Sequence, residues 1–172
     1  MTECYLGLGS NLRSPQRQLR QALLALRTLP RSAIVAQSSI YSSVPCGIQS
    51  QPIYCNMVVK IHTSLPPLHL LTYCQRIENK FLRIRKKHWG ARTLDIDLLL
   101  FGSRSMNHHQ LSIPHPHMLT RDFVLLPLLE ISPTAVLPNG EAIMSFLDDC
   151  RSHVITKAPS RLNDGLLGLN LN

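Results

Sequence analysis

The order of periodic segments within residues 1–101 most narrowly limits the folds open to this chain. Runs rich in apolar and β-branched residues predict strands over residues 4–8, 34–41, 53–63 and 94–101. The first run is followed by Gly-Ser-Asn, which is typical of a turn. Alternate residues of the third run form two sets of side chains that would project from opposite faces of a strand, as expected where the two faces meet different surroundings.

Two segments between these strands have helical periodicity instead. Apolar residues recur every three or four positions after Pro15, and a second such set follows Pro66 and Pro67. Proline is favoured in the first turn of a helix because an N–H there would have no partner within the helix. The apolar positions are Leu19, Ala22, Leu23 and Leu26 in the first segment, and Leu70, Cys74, Ile77 and Phe81 in the second. Each segment therefore predicts an amphipathic helix.

The resulting order (strand, helix, strand, strand, helix, strand) predicts an α/β (α+β) fold of the ferredoxin-like type. We expect a ferredoxin-like sandwich with a mainly antiparallel sheet and helices packed on one face. The uniformly apolar second half of residues 94–101 favours a central position for that strand. Further along, residues 123–130 predict a helix interrupted by Pro127, and residues 142–147 predict a short helix.

A chain of 172 residues suits a single domain. We expect residues 1–150 to form that domain, with residues 151–172 as a loosely ordered or peripheral C-terminal tail. The N-terminus lacks a basic start followed by a long apolar core, and no segment approaches the roughly 18 apolar residues of a membrane span. We therefore expect a cytoplasmic protein.

Composition narrows the possible functions only slightly. Eighteen Lys and Arg against ten Asp and Glu give a net charge of +8, which favours anionic partners, whether nucleic acid or nucleotide. The five cysteines form an odd set without a CxxC pair, so we expect reduced structural thiols. Residues 7–12 lack the third glycine of the dinucleotide fingerprint, and no P-loop sequence occurs. Gly7 and Gly9 instead predict a close turn next to the sheet.

Asp95 and Asp97 are the sharpest candidates for chemistry. Alternate residues of a strand project from the same face, so this pair places two carboxylates side by side. Mg²⁺ is typically held by one or two carboxylates together with substrate phosphates and water. The alternative is that one aspartate pairs with Arg92 and the other is a surface residue. The position of the pair, after a basic segment and at the start of an apolar strand, favours the metal.

The basic segment comprises residues 82–92 and has two interpretations. It contains the arginines Arg83, Arg85 and Arg92. Arginine can bind phosphate oxygens through two N–H groups at once, which favours a phosphate-binding loop over a merely solvated connection. Trp89 could cap a bound ring or pin the segment to the core. Beyond the strand, His115 could donate to a phosphate, with Arg121 six residues later.

Residues 89–102, Trp-Gly-Ala-Arg-Thr-Leu-Asp-Ile-Asp-Leu-Leu-Leu-Phe-Gly, resemble the signature of the 6-hydroxymethyl-7,8-dihydropterin pyrophosphokinase family. Further blocks similar to this family occur in the same order at residues 5–12, 39–41, 51–56, 75–78 and 113–123. The family acts before dihydropteroate synthase in folate synthesis and has a ferredoxin-like fold. Val44, His88 and Pro116 depart from the residues usual in the family.

The resemblance implies roles for individual residues. Asp95 and Asp97 would bind two Mg²⁺ ions together with ATP, and Arg83 and Arg92 would stabilise the transferred group. The implied ATP-binding residues are Gln75, Glu78, Arg85, His115 and Arg121. The implied pterin-binding residues are Ser43, Cys46, Tyr54, Asn56, Trp89 and Phe123.

The implied reaction transfers the pyrophosphoryl group of ATP to the hydroxymethyl oxygen of the pterin and releases AMP. The expected partners are ATP and 6-hydroxymethyl-7,8-dihydropterin, and neither nucleic acid nor a membrane is expected. The protein is expected to be a monomer that can contact neighbouring folate enzymes. One alternative is a nucleic-acid-binding domain, which would need aromatic residues on an exposed sheet face. The aromatic content of 5% argues against it. The other alternative is a metal-dependent nuclease or phosphatase that uses Asp95, Asp97 and His115.

Overall fold

The computed structural model describes residues 1–44, 52–81, 93–150 and 154–158. The strands are Thr2–Ser10 (β1), Ser32–Gln37 (β2), Ile40–Ser43 (β3), Tyr54–Thr63 (β4), Asp95–Phe101 (β5), Met106–His108 (β6), Leu111–Ile113 (β7) and Val154–Ala158 (β8). The α-helices are Pro15–Leu26 (α1), Pro67–Lys80 (α2) and Asp122–Ile131 (α3), with 3₁₀ helices at Met118–Thr120 and Ile143–Phe146. No helix in the described ranges is long and apolar enough to cross a membrane.

An antiparallel sheet forms the centre of the fold. Its strand order is β5-β1-β4-β3-β8, and β2 also pairs with β4. The strand predicted over residues 34–41 is in fact two strands, β2 and β3, which pair with opposite ends of β4. Ser38 lies at the break, where its N–H donates to the Val58 carbonyl and its Oγ accepts from the Val58 N–H, both at 2.9 Å. The Ser38 side chain thus takes the place of a backbone carbonyl as acceptor, and this interrupts the ladder of backbone hydrogen bonds with β4.

Helices cover both faces of this sheet. α1 and α2 pack on one face, and their apolar stripes join inward-facing side chains of β1, β4 and β5 in the larger core. All four apolar positions predicted for α1 are buried, as are Leu70, Cys74 and Ile77 of α2. α3 packs on the opposite face, in a second core that includes Tyr5 and Val58. The ferredoxin-like class is confirmed, but the helices lie on two faces because the strands bury apolar side chains on both.

β5 lies at one end of the strand order, so the prediction of a central strand is wrong. Ile96 and Leu98 join the core beneath α1 and α2, whereas Leu99 and Leu100 join the core beneath α3. An edge strand that is covered on both faces needs apolar residues on both faces. Its sequence therefore looks like that of a central strand.

α3 continues through Pro127, where the sequence predicted an interruption. Proline removes one hydrogen bond from a helix. Leu125, Pro127 and Leu128 are nevertheless buried, so packing of the apolar turn holds the helix together. The short helix predicted over residues 142–147 is the 3₁₀ helix Ile143–Phe146.

Part of the predicted C-terminal tail is a strand of the sheet. β8 pairs antiparallel with β3, and Lys157 lies directly opposite Tyr41. β8 thereby ends the strand order on the side remote from β5.

Candidate active site

Strand pairing brings Asn56 and the two aspartates to one face of the sheet. Asn56 on β4 lies opposite Gly9 on β1, and Gly9 lies opposite Asp95 on β5. Asp97 lies opposite Gly7, two residues along the same strands. Because directly paired residues and alternate residues share a face, Asn56, Asp95 and Asp97 point to the same side. This is the face on which α3 packs.

The two glycines lie inside β1 rather than in the turn that the sequence predicted. A Cβ atom on Gly9 would lie 3.2 Å from Oδ1 of Asn56, and one on Gly7 would lie 3.4 Å from the Leu99 side chain. Without side chains at these positions, the floor between Asn56 and the aspartates stays open. The glycines therefore shape a cavity.

A cavity of about 310 Å³ occupies this floor. It brings together the predicted site residues Ser43, Tyr54, Asn56, Asp95, Asp97, His115, Arg121 and Phe123. Its lining also includes residues that the sequence did not place in the site, among them Gly7, Gly9, Leu99 and His117. His117 belongs to the His-Pro-His sequence of residues 115–117, which can suggest a transition-metal site but whose spacing gives that interpretation little support.

Aromatic and polar side chains line one end of the cavity, here called the ring end (Ser43, Tyr54, Asn56 and Phe123). Nδ2 of Asn56 donates to Oγ of Ser43 at 2.8 Å, and Ser43 pairs directly with Tyr54 in the sheet. The guanidinium of Arg121 lies 5.9 Å from the centre of the Phe123 ring. Aromatic faces beside a buried amide suit a flat heterocycle whose edge forms hydrogen bonds.

Asp95, Asp97 and His115 form the other end, here called the aspartate end. Nε2 of His115 lies 4.0 Å from Oδ2 of Asp97. The backbone N–H of His115 donates to the Leu99 carbonyl at 2.9 Å, and its Nδ1 accepts from the N–H of His117 at 3.2 Å. Burial, helped by the positive charge of Arg121, lowers the pKa of His115 to about 4. The imidazole is therefore neutral at pH 7 and carries its proton on Nε2, towards Asp97.

Two buried contacts hold the start of β5. Oγ of Ser10 donates to the carbonyl of Thr93 at 2.6 Å. Oε1 of Glu78 accepts from the N–H of Ile96, the residue between the two aspartates, at 2.8 Å. Glu78 is only 2% exposed, so its carboxylate supports the aspartate strand from α2. Gln75 is exposed on α2, and neither it nor Glu78 is among the residues that line the cavity.

The donor set of the aspartate end fits a divalent cation of the Mg²⁺ type. Two carboxylates on one strand face open onto a cavity with room for phosphate oxygens and water, which is how Mg²⁺ is usually bound. Among the described residues, no three His, Cys, Asp or Glu side chains are grouped so that they could hold a metal ion.

Five predicted site residues, Cys46, Arg83, Arg85, Trp89 and Arg92, lie outside the described residues.

The sequence matches a known family over most of its length. The family model for 7,8-dihydro-6-hydroxymethylpterin-pyrophosphokinase (HPPK) matches residues 5–133. The chain belongs to the HPPK family. This matched region contains the whole cavity lining described above.

Curated relatives agree with the HPPK assignment. The chain is 45% identical over 157 residues to a Haemophilus influenzae protein named 2-amino-4-hydroxy-6-hydroxymethyldihydropteridine pyrophosphokinase, covering 91% of this chain and 98% of the relative. A Pseudomonas aeruginosa protein of the same name is 42% identical over 155 residues, covering 90% and 96%. A Bacillus subtilis protein of that name is 44% identical over 127 residues, covering 74% and 76%.

Solved structures of HPPK-DHPS chains share the fold. One, in complex with substrates, superposes with a TM-score of 0.68 at 16% identity, covering 86% of this chain and 43% of the other. Plasmodium falciparum HPPK-DHPS superposes with a TM-score of 0.65 at 16% identity, covering 86% and 44%. This chain thus spans less than half the length of those proteins.

Proposed function

We propose that this chain transfers the pyrophosphoryl group of ATP to the hydroxymethyl oxygen of 6-hydroxymethyl-7,8-dihydropterin, releasing AMP, as a step of folate biosynthesis. The observation that carries the proposal is the row Asn56–Gly9–Asp95, which puts a heterocycle-binding end and an acidic end on one cavity floor. Membership of the HPPK family and the names of the relatives support the same reaction.

The ring end would bind the pterin. Tyr54 and Phe123 supply aromatic faces for its flat ring system. Asn56, with its amide oriented by Ser43, supplies hydrogen bonds to the ring edge. Cys46 and Trp89 are proposed to complete the pterin contacts. In this arrangement the hydroxymethyl group extends over Gly9 towards the aspartates.

The aspartate end would bind the polyphosphate of ATP. Asp95 and Asp97 are proposed to hold two Mg²⁺ ions, which when bound neutralise phosphate charge. The neutral imidazole of His115 can donate from Nε2 to a phosphate oxygen, and Arg121 adds a positive charge beside it. The remaining residues proposed to serve ATP are Gln75, Glu78, Arg83, Arg85 and Arg92. Arg83 and Arg92 would stabilise the transferred group, whereas Glu78 acts through the strand that it supports.

The reaction needs positioning more than a strong base. The pterin hydroxyl oxygen forms a bond to the β-phosphorus, the bond from that phosphorus to the α,β-bridging oxygen breaks, and the hydroxyl proton passes to solvent. AMP leaves with the electron pair of the broken bond. Rate enhancement then comes from alignment and from cationic groups around the phosphates.

An assay with Mg-ATP, with and without 6-hydroxymethyl-7,8-dihydropterin, tests this function. We expect AMP and the pterin pyrophosphate in equal amounts, and no AMP when the pterin is omitted. Formation of ADP, or of AMP without pterin, would refute the proposal and favour a phosphatase or nuclease.

We also propose that residues 1–150 form the body of the catalytic domain, to whose sheet the following segment adds β8, and that the protein acts as a cytoplasmic monomer. The HPPK-DHPS chains support the further proposal that it contacts a neighbouring folate enzyme. Sedimentation of the purified protein at assay concentration tests the monomer; a dimer mass would contradict it.

A further inference from the structure

Glu130, near the end of α3, joins that helix to Ser39 and to Tyr41 of β3 through both oxygens of its carboxylate. Oε1 and Oε2 each accept from the backbone N–H of Ser39 at 3.2 Å. Oε1 also accepts from Oγ of Ser39 at 2.7 Å, and Oε2 accepts from the hydroxyl of Tyr41 at 2.8 Å. Burial raises the pKa of Glu130, but the hydrogen bonds from Ser39 and Tyr41 outweigh burial and hold the pKa below its ordinary value. The carboxylate is therefore charged at pH 7.

The C-terminal strand adds a cation to this junction. Nζ of Lys157 lies 3.4 Å from Oε1 of Glu130 and 5.5 Å from the centre of the Tyr41 ring. Lys157 lies directly opposite Tyr41 in the sheet, and Tyr41 lies directly opposite Asn56. One cross-strand row thus runs from Lys157 through Tyr41 to Asn56 and on towards Asp95.

The same two elements supply Phe123 and Ser43 to the ring end of the cavity. Phe123 and Glu130 are seven residues apart on α3, which is about two helical turns, so they lie on the same side of the helix. Tyr41 and Ser43 are alternate residues of β3 and share a face, and Ser43 orients the amide of Asn56. A shift of α3 relative to β3 would therefore change the gap between Phe123 and Asn56.

We propose that Glu130 is a positioning residue for the ring end and that the C-terminal strand supplies Lys157 as its counter-ion. Glu130 sets the gap into which the flat heterocycle fits, without touching it. The inference rests on the proposed function. Residues 154–158 are then part of the working enzyme, although the region that matches the family ends at residue 133.

Steady-state kinetics of Glu130→Gln test this role. We expect KM for the pterin to rise about 3- to 30-fold, while kcat and KM for ATP stay within about twofold, because residues coupled to a site typically alter its affinity to this extent. Lys157→Met should raise KM for the pterin about twofold to fivefold, as expected for loss of a half-exposed ion pair. Since Lys157 acts through Glu130, the double variant should resemble Glu130→Gln alone.

Glu141→Gln is the matched control, because Glu141 is exposed and its carboxylate accepts from Asn139 within the same turn. It should leave all three constants unchanged. Tyr41→Phe removes one hydrogen bond to Glu130 while keeping the ring, and it provides a second variant if Glu130→Gln does not fold. Calorimetric titration with the pterin checks the affinity directly.

Equal increases in the two KM values, or an unchanged KM for the pterin in Glu130→Gln and Tyr41→Phe, would overturn the positioning role. Additive effects in the double variant would overturn the link between Lys157 and Glu130. If the wild-type protein makes no AMP in the presence of pterin, the proposed function fails instead, and the inference fails with it.

Discussion

Glu78 provides a direct test of how the aspartate strand is held. Its Oε1 accepts from the N–H of Ile96 at 2.8 Å, and both residues are buried. Replacing Glu78 with leucine leaves that N–H without its acceptor, and a buried unsatisfied donor costs about 1–3 kcal/mol. Because 1 kcal/mol changes Tm by about 2–4 °C in a protein of this size, we expect Tm to fall by about 2–12 °C.

The same substitution should slow catalysis, because Ile96 lies between the two aspartates. A displacement of about 1 Å at reacting groups can reduce the rate about 100-fold, so we expect kcat to fall about 10- to 100-fold. Glu78→Gln is the matched comparison, since its amide oxygen can still accept from Ile96, and both effects should be smaller. Thermal unfolding and kcat at saturating substrates are the measurements. A leucine variant with wild-type Tm and kcat would refute the reasoning, as would a glutamine variant that is equally impaired.

Three further predictions follow from the site and the sheet. Asp95→Asn and Asp97→Asn should each lower kcat by orders of magnitude with an unchanged circular dichroism spectrum, and unchanged turnover would contradict the metal assignment. Gly9→Ala should raise KM for the pterin more than Gly7→Ala does. The Cβ at position 9 would lie 3.2 Å from Oδ1 of Asn56, whereas the Cβ at position 7 would lie 3.4 Å from the Leu99 side chain. Equal KM values in the two variants would argue against a cavity floor shaped by these glycines. Burial raises the pKa of Glu3, but its bonds to Lys60 and Tyr5 outweigh burial and lower the pKa overall. The stability that Glu3 contributes is therefore present above its unfolded-state pKa and is lost as pH falls through the lower folded-state value. The free energy of unfolding of Glu3→Gln should depend less on pH in that acidic range than the free energy of unfolding of the wild-type protein. Identical pH profiles for the two proteins would contradict this.

Local patterns predicted much of the fold. α1 begins at Pro15 as expected, and its four apolar positions are buried, because helical spacing and a terminal proline are both local signals. Errors arose where side chains interact with distant segments. Ser38 splits the strand predicted over residues 34–41 by bonding to Val58, and β5 is apolar on both faces although it lies at the end of the strand order.

The candidate site divides in the same way. The two-residue repeat of a strand was enough to place Asp95 and Asp97 on one face. The sequence blocks shared with the family identified Tyr54, Asn56 and Phe123 as further residues of the site, and all three line the cavity. The supporting residues were harder to predict. The role of Glu78 depends on a bond to Ile96, and the Glu130 junction depends on contact with β3, neither of which has a sequence signature.

The sequence by itself therefore determined the order of most elements, the paired carboxylates and the family. Only the tertiary structure decided that Gly9 separates Asn56 from Asp95, that α3 covers the second face, and that β8 joins the sheet beside β3. The physical reason is that helix and strand periodicity reflect interactions between near neighbours. Register and strand order instead depend on burial and hydrogen bonds between segments distant in the chain, which no local pattern encodes.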